Sequence, residues 1–319
     1  MRSFLSFAGL AVAFAGCLCF VSCSKQVSSS GVVVDKAFKP LIRPDTSVLA
    51  GVFIDRLKAA PLYQRHEKAL DFPLLDASVQ RLGFDPRRDL TELVFASDGK
   101  TAALMARGRF QPKEIEAKLQ ASGLRRKSYK NFTILGDDQN SLAFLKGGMM
   151  LAGPAQTVRS ELDFQDSGAG EVPEELQERL RTLPKDDQIW MVSRNGLPFA
   201  ETPMRSEVQS ALSNIVAYIR GTTTGLAVDD GLHLQANLTC VSAEGAQRVH
   251  DAIRGGIGLL RLSTKDNETD MLRLYDAIQV DQDQNLVRVH ANLSGDVADK
   301  LLNMLPQFKS RSDQFLRSQ

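Results

Sequence analysis

The sequence predicts an α+β protein of two tandem repeats, each an antiparallel sheet with helices on one face. Three observations predict it. A tight hairpin that feeds straight into an amphipathic helix occurs twice, over Thr91–Gln120 around Asp98-Gly99 and over Thr222–Ile253 around Asp230-Gly231. Each copy follows a short run that is apolar on both faces, Val48–Ile54 in the first and Gln188–Val192 in the second, the mark of a central strand. The hairpins lie about 130 residues apart, far longer than a solenoid period, so the pattern describes a duplicated domain and not an array.

The elements follow in order. After Val48–Ile54, residues Pro61–Gly83 read as mostly helical, interrupted near Pro73 and capped by Gly83. Asp98-Gly99 then closes the first hairpin, as a type I′ turn with positive φ at both central positions. The helix behind it opens with Pro112 at its first position and Glu114 in its first turn. Asn131–Leu135, Ser141–Leu145 and Met149–Ala152 read as strands, and Pro154–Leu162 as the closing helix. Pro173-Glu-Glu begins a connecting helix. In the second repeat Ser206 and Gln209 form a capping box. Val208, Ala211, Leu212, Ile215, Val216 and Ile219 then recur at spacings of three and four, giving a helix with one buried face. A long helix starts at Ser242, strands follow at Ala277–Asp281 and Leu286–Leu293, and Ser294–Leu305 closes the unit.

Strand–helix–hairpin–helix–strand is the split βαβ, ferredoxin-like plan. The open sheet face of each repeat is then expected to be partly covered by its sister. The expected division is a signal at 1–22, a tether at 23–43, repeat one at 44–164 and a linker with a helix at 165–185. Repeat two follows at 186–308 and a polar tail at 309–319.

The N-terminus carries an address. Arg2 supplies a positive start, Phe4–Ser22 is uncharged and largely apolar, and Cys23-Ser24-Lys25 leads into a polar stretch. This resembles a bacterial lipoprotein signal, in which a cysteine after small residues is acylated and becomes the mature N-terminus. Cys23 suits the polar stretch better, and Cys17 has the better small residues before it, Ala15-Gly16. A plain secretory peptide is the alternative. With Pro44-Asp45 before the first strand, Gly83-Phe84-Asp85-Pro86 before the hairpin and Arg107-Gly108-Arg109-Phe110 at its exit, the whole chain resembles a loose set of uncharacterised exported bacterial proteins. That resemblance implies an α+β repeat fold and a cell-envelope location, with membrane attachment through the N-terminal lipid. It implies no activity.

Composition narrows the partners. With 39 Lys and Arg against 38 Asp and Glu, the net charge is +1, and only 7% of residues are aromatic. A basic, ring-bearing surface for nucleic acid is not expected, and an envelope protein is the expected partner. Cys240, the one cysteine beyond the N-terminal run, falls on the apolar side of a strand and reads as a buried thiol.

The best polar constellation lies on repeat two. Alternation puts His233, Gln235 and Asn237 on one side of Leu232–Cys240, and Arg288, His290 and Asn292 on one side of Leu286–Leu293. If the two strands share a sheet, these six residues form one ligand-binding face. No metal or cofactor site is assigned, because two histidines need a third ligand. Asp281-Gln-Asp283-Gln-Asn285 opens like a calcium loop but has Leu286 where glycine belongs. Ser97-Asp-Gly-Lys100 spells S-x-x-K across a hairpin instead of a helix start. Gly255-Gly256-Ile-Gly258 follows a helix and is expected to serve close helix packing or a kink. The chain therefore reads as a non-enzymatic binding or assembly module. The alternatives are a small-ligand carrier, using an inter-repeat cleft near Trp190 and Met191, and a metal-dependent hydrolase on the histidine face.

Overall fold

A computed structural model of the chain describes residues 31–67, 85–109, 111–121, 123–139, 141–197 and 215–303. The signal with Cys17 and Cys23, residues 68–83 of the stretch read as helical, the capping box at Ser206 and the tail at 309–319 lie outside the described residues.

Among the described residues, twelve strands form one antiparallel sheet. They are β1 (Val48–Phe53), β2 (Leu90–Ser97), β3 (Ala102–Gly108), β4 (Arg126–Tyr129), β5 (Phe132–Gly136) and β6 (Ser141–Leu145), then β7 (Met149–Gly153), β8 (Ile189–Ser193), β9 (Ile219–Val228), β10 (Leu232–Cys240), β11 (Ile278–Asp283) and β12 (Leu286–Leu293). Across the sheet the order is β11-β12-β10-β9-β8-β1-β2-β3-β7-β6-β5-β4. The two strands that are apolar on both faces, β1 and β8, pair with each other at the centre, Gly51 opposite Trp190.

The class is α+β with an antiparallel sheet, as the sequence predicts. The strand order is not split βαβ. That plan places the third strand between the first and second, whereas here β1 pairs directly with β2 and β8 with β9. The halves meet edge to edge through the β1–β8 ladder, so neither lies over the other's open face. Apolarity on both faces of β1 and β8 reflects that central position.

Helices cover both faces, not one. In chain order they are α1 (Ile54–Ala59), α2 (Pro61–His66), α3 (Pro86–Asp89), α4 (Pro112–Ala121), α5 (Ala155–Ser167), α6 (Glu174–Arg181), α7 (Ala243–Ser263) and α8 (Thr269–Ala277); residues 295–303 are also helical. On the front face, Leu49, Val94, Met105, Leu151 and Trp190 are buried with Val158 and Leu162 of α5 and Leu176 and Leu180 of α6. On the back face, Ile115 and Leu119 of α4 bury Ala106 and Met150. Ala246 and Val249 of α7 do the same for Leu238 and Val287.

Residues 32–42, expected as tether, are part of this core. Val32, Val34, Phe38, Leu41 and Ile42 are each at most 4% exposed, and a short 3-10 turn at Lys39–Leu41 lets them strap the front face. The strap crosses the sheet without joining it as a strand. Arg107 on β3 locks it, donating to Asp35 Oδ2 at 2.8 Å and to Glu92 Oε2 at 2.9 Å.

Three local expectations change as well. Only Gly99 of the first hairpin turn has positive φ, at 95°. The turn is closed by the Asp98 carboxylate, which accepts from the backbone N–H of Lys100 and Thr101, so it is an Asx turn and not type I′. The helix expected to reach Ile219 cannot do so, since β9 begins there. Gly255, Gly256 and Gly258 have open space around them, so they serve no close packing. By contrast α7 starts as read, with the Ser242 hydroxyl accepting from Gly245 N–H at 3.0 Å.

Candidate functional site

The β10–β12 register brings the six sequence-predicted residues together on the front face. His233 stands opposite Asn292, Gln235 opposite His290, and Asn237 opposite Arg288. Alternation drives this: Leu238, Val287, Ala291 and Leu293 turn to the buried back face, which leaves the polar set on the front.

The side chains are tied laterally. His233 Nδ1 lies 3.1 Å from Asn292 Oδ1, and its Nε2 lies 3.2 Å from both Asp229 oxygens. Arg288 donates to Asp283 Oδ2 at 3.0 Å. Gln235 Nε2 donates at 3.0 Å to Asp187 Oδ2. The His233 side chain is 44% exposed, so the face is wet at this end.

Two members of the site were missed from sequence, Asp187 and Arg179. Asp187 precedes β8 and is 2% exposed. Burial pushes its carboxyl up, a shift the Gln235 hydrogen bond opposes and neighbouring Asp186 reinforces. Arg179 of α6 donates to Thr239 Oγ1 at 3.1 Å. The signal for both is a pair of glycines. A Cβ on Gly225 would collide with the Asp187 carboxylate, and one on Gly221 with the Arg179 guanidinium. Glycine inside a strand marks close approach of another segment, and here two glycines four apart on one strand face admit α6 and the turn behind it.

This geometry separates the readings. Among the described residues no group of three His, Cys, Asp or Glu side chains is placed to hold a metal ion. His233 and His290 sit diagonally on neighbouring strands. The inter-repeat cleft is filled: Trp190 is 1% exposed and its indole lies over Gly51. Cys240 is 1% exposed, and burial pushes its thiol up, away from a nucleophile's range. Gln284, with φ at 51°, makes the calcium-like stretch a hairpin turn between β11 and β12. His66 Nε2 bonds Asp299 Oδ1 at 2.6 Å in the helical layer behind the sheet. The six side chains present hydrogen-bond donors and acceptors on one side of the β10–β12 ladder.

No protein-family model matches the chain, and no curated protein matches it. Among solved structures it is similar to TP0453 of Treponema. With crystal form III the TM-score is 0.51 at 9% identity, covering 86% of this chain and 98% of that one. With form IV the TM-score is 0.49 at 9% identity, over 84% and 95%. The form III likeness defines a shared α+β fold. No described helix is long and apolar enough to cross a membrane.

Proposed function

We propose that the chain is a non-enzymatic cell-envelope module, anchored by a lipid on Cys23, that binds an envelope protein partner through the front face of β10 and β12. One observation carries the reading. A single sheet face is buried under α5, α6 and the strap in one half, and in the other presents His233, Gln235, Asn237, Arg288, His290 and Asn292 in paired register. Antiparallel sheets often leave one face to water. Here that wet face is cross-linked laterally to Asp187, Asp229 and Asp283, which lowers the entropy lost when a partner docks. The address rests on the N-terminal run ending at Cys23.

The test is native mass spectrometry of the mature chain, released gently from its own membrane fraction. The expected result is a stoichiometric protein partner on a diacylated chain beginning at Cys23, lost on His233→Ala plus His290→Ala. A small adduct lost in the same variant would replace the protein partner with a ligand. A partner retained in that variant would overturn the role of the face.

A further inference from the structure

Far from the polar face, a cleft of about 460 Å³ opens between the 98–101 turn, residues 43–46 and the first turns of α5. It leads to an inner recess of about 10 Å³, room for about one water molecule. Glu161 lines both. It is 6% exposed, and its Oε2 has no hydrogen-bond partner. A desolvated carboxylate oxygen without a donor is costly; it is one of eight buried side-chain polar atoms without a partner among the described residues, and the one that lines this cleft.

Arg43 and Asp98 are committed elsewhere. Arg43 donates to Asp45 Oδ1 at 3.3 Å and to Ser160 Oγ at 3.0 Å, and its guanidinium lies over the Phe164 ring. Asp98 accepts from Lys100 N–H, Thr101 N–H and the Thr101 hydroxyl. The charged groups facing Glu161 are Arg43 and Asp45 from the segment before β1, and Asp98 and Lys100 from the turn. With Glu161 ionised, three carboxylates meet two cations around the cleft, one positive charge short; with Glu161 protonated the charges balance. A water would supply a donor there without supplying that charge.

We propose that this cleft binds a small primary ammonium compound, whose N–H group donates to Glu161 Oε2 and whose charge balances the third carboxylate. An ammonium group is close to water in size and fits the recess. A planar guanidinium or a quaternary ammonium is larger and leaves Oε2 unsatisfied. Binding requires Glu161 ionised. Burial first, with Asp45 and Asp98 adding to it and Arg43 opposing, pushes its carboxyl up to about 7. Affinity therefore rises with pH across that value. The polar face of β10 and β12 and this cleft are separate sites, and neither assignment depends on the other.

The experiment is isothermal titration of the mature chain at constant ionic strength with ethylammonium chloride, tetramethylammonium chloride and sodium propionate. Each probe is run at pH 8 and pH 6, on wild type and on Glu161→Gln. Ethylammonium is expected to bind saturably at pH 8, about tenfold more weakly at pH 6 as the carboxyl takes its proton, and not at all to Glu161→Gln. The pH comparison uses wild type alone, so it stands even if the variant misfolds. Absence of saturable ethylammonium binding at pH 8 would overturn the proposal. So would equal binding of tetramethylammonium, or binding retained in folded Glu161→Gln. Propionate binding that strengthens toward pH 6 would assign the recess to a carboxylic acid instead.

Discussion

One row of residues crosses the sheet and contrasts its two halves. On the β1–β7 side it reads Ile134, Ala143, Leu151, Met105, Val94 and Gly51. Past the centre it continues Trp190, Gly225, Gln235, His290 and Gln279. The backbone ladder is continuous, so hydrogen bonding alone does not distinguish the halves. The layer above does. The strap, α5 and α6 cover the first half and stop at β9, where Gly221 and Gly225 let Arg179 and Asp187 settle onto the sheet. Beyond that line the same face is polar. The first half buries its front face under helices and strap, and the second leaves on it the polar set proposed to bind a partner.

The contrast breaks most severely at the centre. Trp190→Ala removes the indole that seals Gly51 and should cost about 3–5 kcal/mol, read as a lower urea midpoint. A loss below about 1 kcal/mol would mean that the halves do not share a dry seam. Next is the strap. Arg107→Met leaves Glu92, 4% exposed, without its cation, and should cost about 2–3 kcal/mol at pH 8. The cost should shrink at pH 5, where Glu92 is protonated.

The buried acids sharpen the comparison through pH. Burial pushes Glu92 and Glu161 from the ordinary 4.5 up to about 7. Each holds its proton when folded at pH values where the unfolded chain has released it. Their contribution is therefore full below about pH 4.5 and is lost as pH rises through 7. Thermal melts at pH 5 and pH 8 should show a drop that Glu92→Gln flattens. Smaller still is Gln235→Ala, which removes the donor on buried Asp187 and should cost about 1 kcal/mol. Smallest is His290→Ala, expected within about 0.5 kcal/mol of wild type although it abolishes partner binding.

Much of this was legible in the chain. The strands at Ser141–Leu145 and Leu286–Leu293 match their sequence boundaries, because strict alternation or flanking turn residues defined them. The six-residue polar face was legible for the same reason, since alternation fixes sides without knowing partners. Which strand lies beside which was not legible. Turn chemistry fixes neighbours within a hairpin, but the β1–β8 pairing spans over 130 residues of sequence and leaves no local mark. The strap was hidden because Val34, Phe38, Leu41 and Ile42 fall at helical spacing, whereas the chain forms only a three-residue turn there, at Lys39–Leu41. Asp187 and Arg179 were hidden because their place depends on α6 crossing β9. Gly221 and Gly225 recorded that crossing only as small residues in a strand.

The most direct test of a dry half and a recognising half is photo-crosslinking in intact cells. The photoreactive residue would replace His290 in one strain and Lys36 in the other, the latter exposed on the strap above the same face of the first half. The account predicts one discrete crosslinked protein band from position 290 and none from position 36. Crosslinks from position 36 alone, or equal yields from both, would contradict it.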